Sequence, residues 1–137
     1  MAIDLGARRV GLAVSDELRV SIRPVAVIER RSWKDLLQRI KEQIEAFDAR
    51  GVVVGLPLNM DGSEGAPAAE AREVARKLGL SLNVPVYLQD ERLSSEEAKS
   101  RLRGIQNREP AGEIDSASAA IILEDFIEQE QSRPSRS

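Results

Sequence analysis

Short apolar runs alternate along the chain with longer segments in which apolar residues recur every three or four positions. The short runs are rich in Val, Ile and Leu and are typical of strands, whereas the longer spacing is typical of amphipathic helices. Val52–Leu56 is apolar at every position, which indicates a strand buried on both faces of a parallel sheet. Pro24 lacks an amide hydrogen, so it predicts an edge or bulged position in the third strand. The predicted strands are residues 1–6, 10–14, 20–28, 52–56 and 85–89.

Capping signals and apolar spacing predict four helices between and after these strands. They begin near Ser32, Pro67, Ser94 and Asp115, and Gly51 and Gly79 are predicted to end the first two. The order β-β-β-α-β-α-β-α-α predicts an α/β fold, with a five-stranded mixed sheet flanked by helices. The sheet would combine an antiparallel ribbon, led by a hairpin, with parallel strands. We expect one domain over residues 1–131 and a disordered Ser/Arg tail over residues 132–137.

The composition removes several kinds of chemistry. The 137 residues contain no Cys and no His, which excludes disulfides, thiolate nucleophiles, His-ligated zinc and Ser-His triads. Any catalysis must therefore use carboxylates, Lys, Arg or hydroxyl groups. The formal net charge of −3 gives no overall basic field, although a local basic rim would be hidden in that sum. No apolar run has the length of a membrane span or the pattern of a secretory signal, so we expect a cytoplasmic protein without membrane contact.

Acidic residues stand at three places where predicted elements begin or end. Asp4 lies within the apolar first strand, Asp90 and Glu91 end the last strand, and Asp115 starts the last helix. A carboxylate inside a sheet must be paired, hydrogen-bonded or metal-bound, but each acid alone also fits a turn, an ion pair or a helix cap. Ligands of α/β sheets bind beyond the carboxyl ends of the strands. Carboxylates gathered there would suit Mg²⁺ or Mn²⁺, which can activate a water for phosphodiester hydrolysis.

Four motifs in a fixed order give a resemblance to a known family. They are Asp4-Leu-Gly6 with Val10–Asp16, the run Val-Val-Gly-Leu-Pro-Leu-Asn-Met-Asp-Gly-Ser-Glu-Gly at 53–65, Asp90–Ser95, and Asp115 before Ala119–Leu123. Over roughly residues 2–129 the chain resembles the YqgF (RuvX) family. The resemblance implies an RNase H-like fold and a nuclease that depends on Mg²⁺ or Mn²⁺. The family is described as processing the 5′ end of precursor 16S ribosomal RNA, and also as a Holliday junction resolvase.

The resemblance also implies particular site residues. The catalytic and metal-binding acids fall on Asp4, Glu91 and Asp115, and the choice of Glu91 over the neighbouring Asp90 rests on the resemblance alone. Only three residues precede Asp4, fewer than in similar proteins. Whether the first strand is well ordered therefore stays open. The candidates for nucleic-acid contact, each of which also fits a solvated turn or helix end, are Arg8, Arg9, Asn59, Arg92 and Arg108.

Three kinds of function stay open at this level. The first is a nuclease acting on structured RNA or on branched DNA, where symmetric junction cleavage would call for a homodimer with paired sites. The second is an ATPase, because the Asp-x-Gly hairpin is similar to the first phosphate motif of actin-like proteins and sugar kinases. Those proteins close a second domain over the nucleotide, which 137 residues cannot supply. The third is a non-catalytic RNA-binding factor of ribosome biogenesis.

Overall fold

The computed structural model describes residues 1–16, 21–59, 61–90 and 114–132. The elements in these ranges are β1 (Ala2–Leu5), β2 (Arg9–Ser15), β3 (Ile22–Glu29), α1 (Trp33–Phe47), β4 (Val52–Leu56), α2 (Ala66–Ser81), β5 (Val86–Asp90) and α3 (Ile114–Ser132). The helix predicted to open at Ser94 lies outside the described residues, as do the side chains of residues 114–117. None of the helices described is both long and apolar enough to cross a membrane.

The strands form one mixed sheet in the order β3-β2-β1-β4-β5. The first three strands pair as an antiparallel ribbon, whereas β4 pairs in parallel with both β1 and β5. β1 has four residues, yet it is the central strand and is paired along both sides. The Met1 ammonium group donates a hydrogen bond to Gly51 O at 3.0 Å, and Val53 N donates to Met1 O at 2.8 Å. The predicted five-stranded mixed sheet is confirmed, and its short first strand is held at the centre.

Two hydrophobic cores cover the two faces of the sheet. The larger core lies under α1 and α2 and contains, among others, Ile3, Leu12 and Val54 of the sheet with Ile40 and Leu78 of the helices. The second core lies under α3 and contains Ala2, Ala13, Val53, Ala119, Ile122, Leu123 and Ile127. Successive side chains of a strand point to opposite faces. Membership of these two cores therefore shows which helices each strand residue faces.

The edge strand β3 carries the irregularity that Pro24 predicts. Leu12 pairs with Ala26 while the next residue of β2, Ala13, pairs with Pro24, so Val25 is the extra residue of a bulge. An edge position suits a residue that cannot donate a ladder hydrogen bond. The expectation of an edge or bulged position is confirmed in both respects.

Helix α1 begins as the sequence predicts and ends earlier. The Ser32 side chain accepts a hydrogen bond from Asp35 N at 3.1 Å, which satisfies one of the free amides at the helix start. The prediction that Gly51 ends the helix is wrong. The helix ends at Phe47, where Asp48 takes the left-handed conformation with φ 51°. Asp tolerates this conformation better than most residues with a side chain, so no glycine is required.

Helix α2 also departs from its predicted end. Pro67 lies in its first turn, as predicted, because the missing amide hydrogen costs nothing there. Gly79 does not end the helix, which continues to Ser81 and closes with a hydrogen bond from Leu82 N to Leu78 O at 2.8 Å. Gly79 is therefore an interior residue of the helix and does not adopt the left-handed conformation that would end it.

Candidate active site

Asp4 lies one residue from the carboxyl end of the central strand, with a glycine beside it on each neighbouring strand. Its partner on β2 is Gly11. On β4 the register aligns Ile3 with Val54, which places Gly55 next to Asp4. Asp4 is half-buried and shares the α3 face with Ala2, two residues earlier. Because neither glycine has a side chain, no side chain of β2 or β4 lies directly beside the Asp4 carboxylate in this row.

Gln89 completes this row of residues on the far side of Gly55. Ile3, Val54 and Leu88 are aligned across three strands, so the next row contains Asp4, Gly55 and Gln89. Gln89 is 4% exposed and is the buried polar side chain within the described residues. Its Nε2 donates to Asp90 O at 3.4 Å. Gln89 was not among the residues predicted from the sequence, although a polar residue two positions after Tyr87 lies on the same face of the strand.

Asp90 ends β5 and is exposed. Leu88, two residues earlier, packs on the α1 and α2 side, so Asp90 faces that side as well. Asp4 and Asp90 therefore lie on opposite faces of the sheet, and the structure does not bring them together. Glu91, with Arg92 beside it in sequence, lies outside the described residues.

Asp115 is the second residue of α3, whose direction relative to the sheet is known from its other end. Leu123 and Ile127 line a cavity of about 720 Å³ together with Met1 and Val52, at the amino ends of β1 and β4. The helix therefore begins toward the carboxyl ends of these strands, the edge that carries Asp4. The backbone places the start of α3 on Asp4's face and at its edge, while the Asp115 side chain is outside the described residues.

The loop that follows β4 is closed by its own polar side chains. Asn59 N donates to Ser63 O at 2.9 Å, and Asn59 Nδ2 donates to Ser63 Oγ at 2.9 Å. Asp61 Oδ1 accepts from Ser63 Oγ at 2.6 Å and from Ser63 N at 2.9 Å. These bonds, the hydroxyl first, hold the pKa of Asp61 below its ordinary value. The exposed Asn59 thus has a structural partner in the turn.

The turn after Asp4 is fixed by hydrogen bonds from both sides. Gly6 N donates to Arg9 O at 2.9 Å, and a Cβ at Gly6 would lie 2.5 Å from that oxygen, so only glycine fits. Arg30 Nη1 donates to Gly6 O at 2.9 Å and to Glu70 Oε1 at 2.8 Å, which ties the turn to α2. Arg8 and Arg9 are exposed on this turn. Arg108 lies outside the described residues.

A complete metal centre is not assembled within the described residues, where no group of three His, Cys, Asp or Glu residues could hold an ion. Of the three predicted ligands, Asp4 is the one whose side chain is described. It fits the requirement of Mg²⁺ or Mn²⁺ for a hard oxygen donor.

Comparison with known proteins shows which family the chain is similar to. The sequence profile of a family described as "RuvX: Holliday junction resolvase" matches residues 1–129. A protein of Anaeromyxobacter sp. (strain K) named "Putative pre-16S rRNA nuclease" is 46% identical over 131 residues, covering 94% of this chain and 96% of its own. A protein of the same name from Rickettsia bellii (strain OSU 85-389) is 36% identical over 129 residues, covering 93% of this chain and 84% of its own.

Solved structures share the fold. RuvC of T. thermophilus, in complex with a Holliday junction substrate, superposes with a TM-score of 0.61 at 20% identity, covering 95% of this chain and 94% of that one. A fowlpox virus resolvase, in complex with Holliday junction DNA, superposes with a TM-score of 0.54 at 11% identity, covering 93% of this chain and 95% of that one. At these identities the likeness establishes the fold, which is RNase H-like.

The fold, the matched family and the curated relatives together define a nuclease, a hydrolase that acts on phosphodiester bonds. The chain belongs to the RuvX family. The resemblance drawn from the sequence motifs, the RNase H-like fold and the nuclease class are thereby confirmed. The family places the chain among nucleases and not among actin-like ATPases.

Proposed function

We propose that the chain is a Mg²⁺- or Mn²⁺-dependent nuclease in which Asp4, Glu91 and Asp115 are the catalytic, metal-binding acids. The observation that carries this proposal is the position of Asp4, half-buried on the central strand between two glycines. The start of α3 on the same face supports Asp115. Asp90 faces the other side of the sheet, which favours Glu91 as the acid from that segment. Bound divalent metal ions commonly assist phosphodiester hydrolysis in nucleases, which supports a metal-dependent reaction here.

The chemistry follows from what the chain's own residues can do. A divalent ion held by the three acids would supply an activated water and would offset charge on the leaving oxygen. Asp4 holds its carboxylate in a fixed position because its strand is paired on both sides. Arg9 faces the same side of the sheet as Asp4, one pleat closer to the edge, where its guanidinium can neutralise a substrate phosphate. Gly11 and Gly55 place no side chain directly beside the Asp4 carboxylate, which is compatible with an approaching phosphodiester.

The proposed substrate is the 5′ end of precursor 16S ribosomal RNA. Two relatives, at 46% and 36% identity, carry a name that states pre-16S rRNA as the target, and the 5′ end is the site that the resemblance to the family implies. We place the activity in the cytoplasm, within a single domain over residues 1–131 followed by a tail at 132–137. A Holliday junction is the second candidate, favoured by the family's description and by the RuvC complex. Symmetric junction cleavage would require a homodimer with paired sites.

Cleavage of matched substrates tests this proposal. Precursor-16S leader RNA, a four-way DNA junction, a linear duplex and a single strand are each incubated with Mg²⁺ or Mn²⁺, with Asp4→Asn as the inactive control. We expect leader RNA to be cut fastest, and only in the presence of the metal. If the junction is cut faster than the leader RNA, the Holliday junction replaces precursor 16S RNA as the proposed substrate. Binding of RNA without cleavage of any substrate would contradict the nuclease proposal and support a non-catalytic factor.

A further inference from the structure

Four arginines meet where the turn between β1 and β2 lies beside the end of β3. Arg30 N donates to Arg8 O at 2.8 Å, which joins the two segments. Arg9 is paired in register with Glu29, the last residue of β3. Arg31 follows directly in sequence. We call Arg8, Arg9, Arg30 and Arg31 the arginine edge.

Arg30 has a structural task within the arginine edge. Its side chain is 24% exposed and bonds both Gly6 O and the Glu70 carboxylate through Nη1. Arg30 therefore fastens the turn that follows Asp4 to α2. The Arg30 guanidinium already bonds two groups of the protein. Among the four arginines of the arginine edge, it is therefore the least suited to bind a ligand.

Arg8 and Arg31 are placed differently. The Arg8 side chain is exposed and makes no hydrogen bond or ion pair with the residues that the structure describes. Arg31 is 66% exposed, and its Nη2 lies 3.4 Å from Oε2 of Glu29, which is 73% exposed. Exposed ion pairs of this kind contribute little to stability, so a phosphate can replace the carboxylate at small cost. Both guanidinium groups are therefore available to an incoming anion.

The charges at this edge of the sheet are distributed unevenly in the described part of the chain. The side beyond β4 and β5 carries Asp61, Glu64 and Asp90, of which Glu64 is paired with Arg72 at 2.6 Å. The side beyond β2 and β3 carries the arginine edge together with the acids Glu29 and Glu70, so the arginines outnumber the acids there. Within the described residues, a polyanion approaching Asp4 is therefore attracted more strongly toward β2 and β3 than toward β4 and β5.

We infer that the phosphate backbone flanking the cleavage point runs from Asp4 past Arg9 and leaves over the arginine edge, with Arg8 and Arg31 as its phosphate contacts. This inference rests on the proposed nuclease function, because it takes Asp4 as the cleavage point. Guanidinium groups bind phosphate oxygens in a bidentate manner and position the nucleic acid without reading its sequence. The surface therefore serves RNA and DNA alike and sets the direction in which either leaves the site.

Salt-dependent binding tests the inference without requiring cleavage. Fluorescently labelled precursor-16S leader RNA and a labelled four-way DNA junction are titrated with the Asp4→Asn protein at several KCl concentrations. Arg8→Ala, Arg31→Ala and the double variant are compared in that background with Arg50→Ala, an exposed arginine at the opposite end of the sheet. We expect each of the first two changes to lower the slope of log K against log salt by roughly 0.7–0.9, the effect of one lost phosphate contact. Arg31→Lys should restore most of the slope, because the charge is kept.

Two results would count against the inference and can be told apart. If the Asp4→Asn protein binds both probes but the double variant keeps its slope and affinity, the backbone does not cross the arginine edge. If Arg50→Ala lowers the slope as much as Arg31→Ala does, binding follows overall charge and the inference is again overturned. If the Asp4→Asn protein binds neither probe, the proposed function itself fails, and this inference fails with it.

Discussion

Asp4 is a half-buried carboxylate on the central strand of a five-stranded sheet, and both neighbouring strands place a glycine beside it. Its side chain lies on the α3 face, while Ile3 and Leu5 on either side face the opposite core. No side chain of β2 or β4 lies directly beside the carboxylate, which is compatible with the metal-binding role proposed for it.

Gly6 provides a residue-scale prediction about the turn after Asp4. In Gly6→Ala the new Cβ would lie 2.5 Å from Arg9 O, so the turn must open. We expect a loss of about 1–3 kcal/mol in the free energy of unfolding, measured by urea denaturation. The control is Gly79→Ala, where nothing lies within 4 Å and the residue is inside α2.

Gly79→Ala should stabilise the protein by about 0.5–1 kcal/mol, because alanine is the better residue in a helix interior. Destabilisation by Gly79→Ala would mean that this glycine ends α2 after all. An unchanged unfolding free energy in Gly6→Ala would show that the turn can relax around the extra carbon.

At the scale of elements, one acidic side chain closes the loop after β4 and another ties this loop to α2. Asp61 is bonded by Ser63, and the Glu64 carboxylate is bonded by Arg72 of α2 at 2.6 and 2.8 Å. The Arg72 hydrogen bonds hold the pKa of Glu64 below its ordinary value. Both acids are ionised more readily in the folded state. Their stabilising contributions are therefore present at neutral pH and are lost as the pH falls through the lowered pKa values.

Ser63→Ala tests the account of this loop. Removing the hydroxyl eliminates the largest contribution to the lowered pKa of Asp61, so we expect that pKa to rise toward its ordinary value of 3.8. The measurement is an NMR titration of the side-chain carboxyl carbons. Glu64 serves as an internal control, because its partner is Arg72 and its pKa should not move. An Asp61 pKa that stays the same in Ser63→Ala would contradict the assigned cause.

The helix ends show where local sequence signals succeed and fail. Ser32 and Pro67 were predictable, because each acts within a single turn through its own side chain or missing hydrogen. Gly51 and Gly79 were misleading, since glycine is required only where a turn demands positive φ. At the end of α1 the residue with positive φ is Asp48, and α2 ends without a residue of positive φ.

At the scale of the whole molecule, the sequence predicts the sheet because buried parallel strands, a hairpin and capped helices leave few possible arrangements. It also identifies Asp4, since an isolated acid in an apolar strand stands out. It does not predict the row that surrounds Asp4, because Gly55 and Gln89 become neighbours only through strand register. Likewise, the contact between Arg8 and Arg30 joins segments whose proximity depends on the paired ribbon.

The opposite faces of Asp4 and Asp90 allow the central claim to be tested with two matched substitutions. Each replaces one carboxylate by an amide of the same shape, on strands of the same sheet. The measurement is the rate of Mn²⁺-dependent cleavage of precursor-16S leader RNA by the wild type, Asp4→Asn and Asp90→Asn, with thermal unfolding recorded for each. We predict that Asp4→Asn lowers the rate by roughly two orders of magnitude or more without unfolding the protein, whereas Asp90→Asn retains most of it. Full activity in Asp4→Asn, or loss of activity in Asp90→Asn alone, would contradict the account.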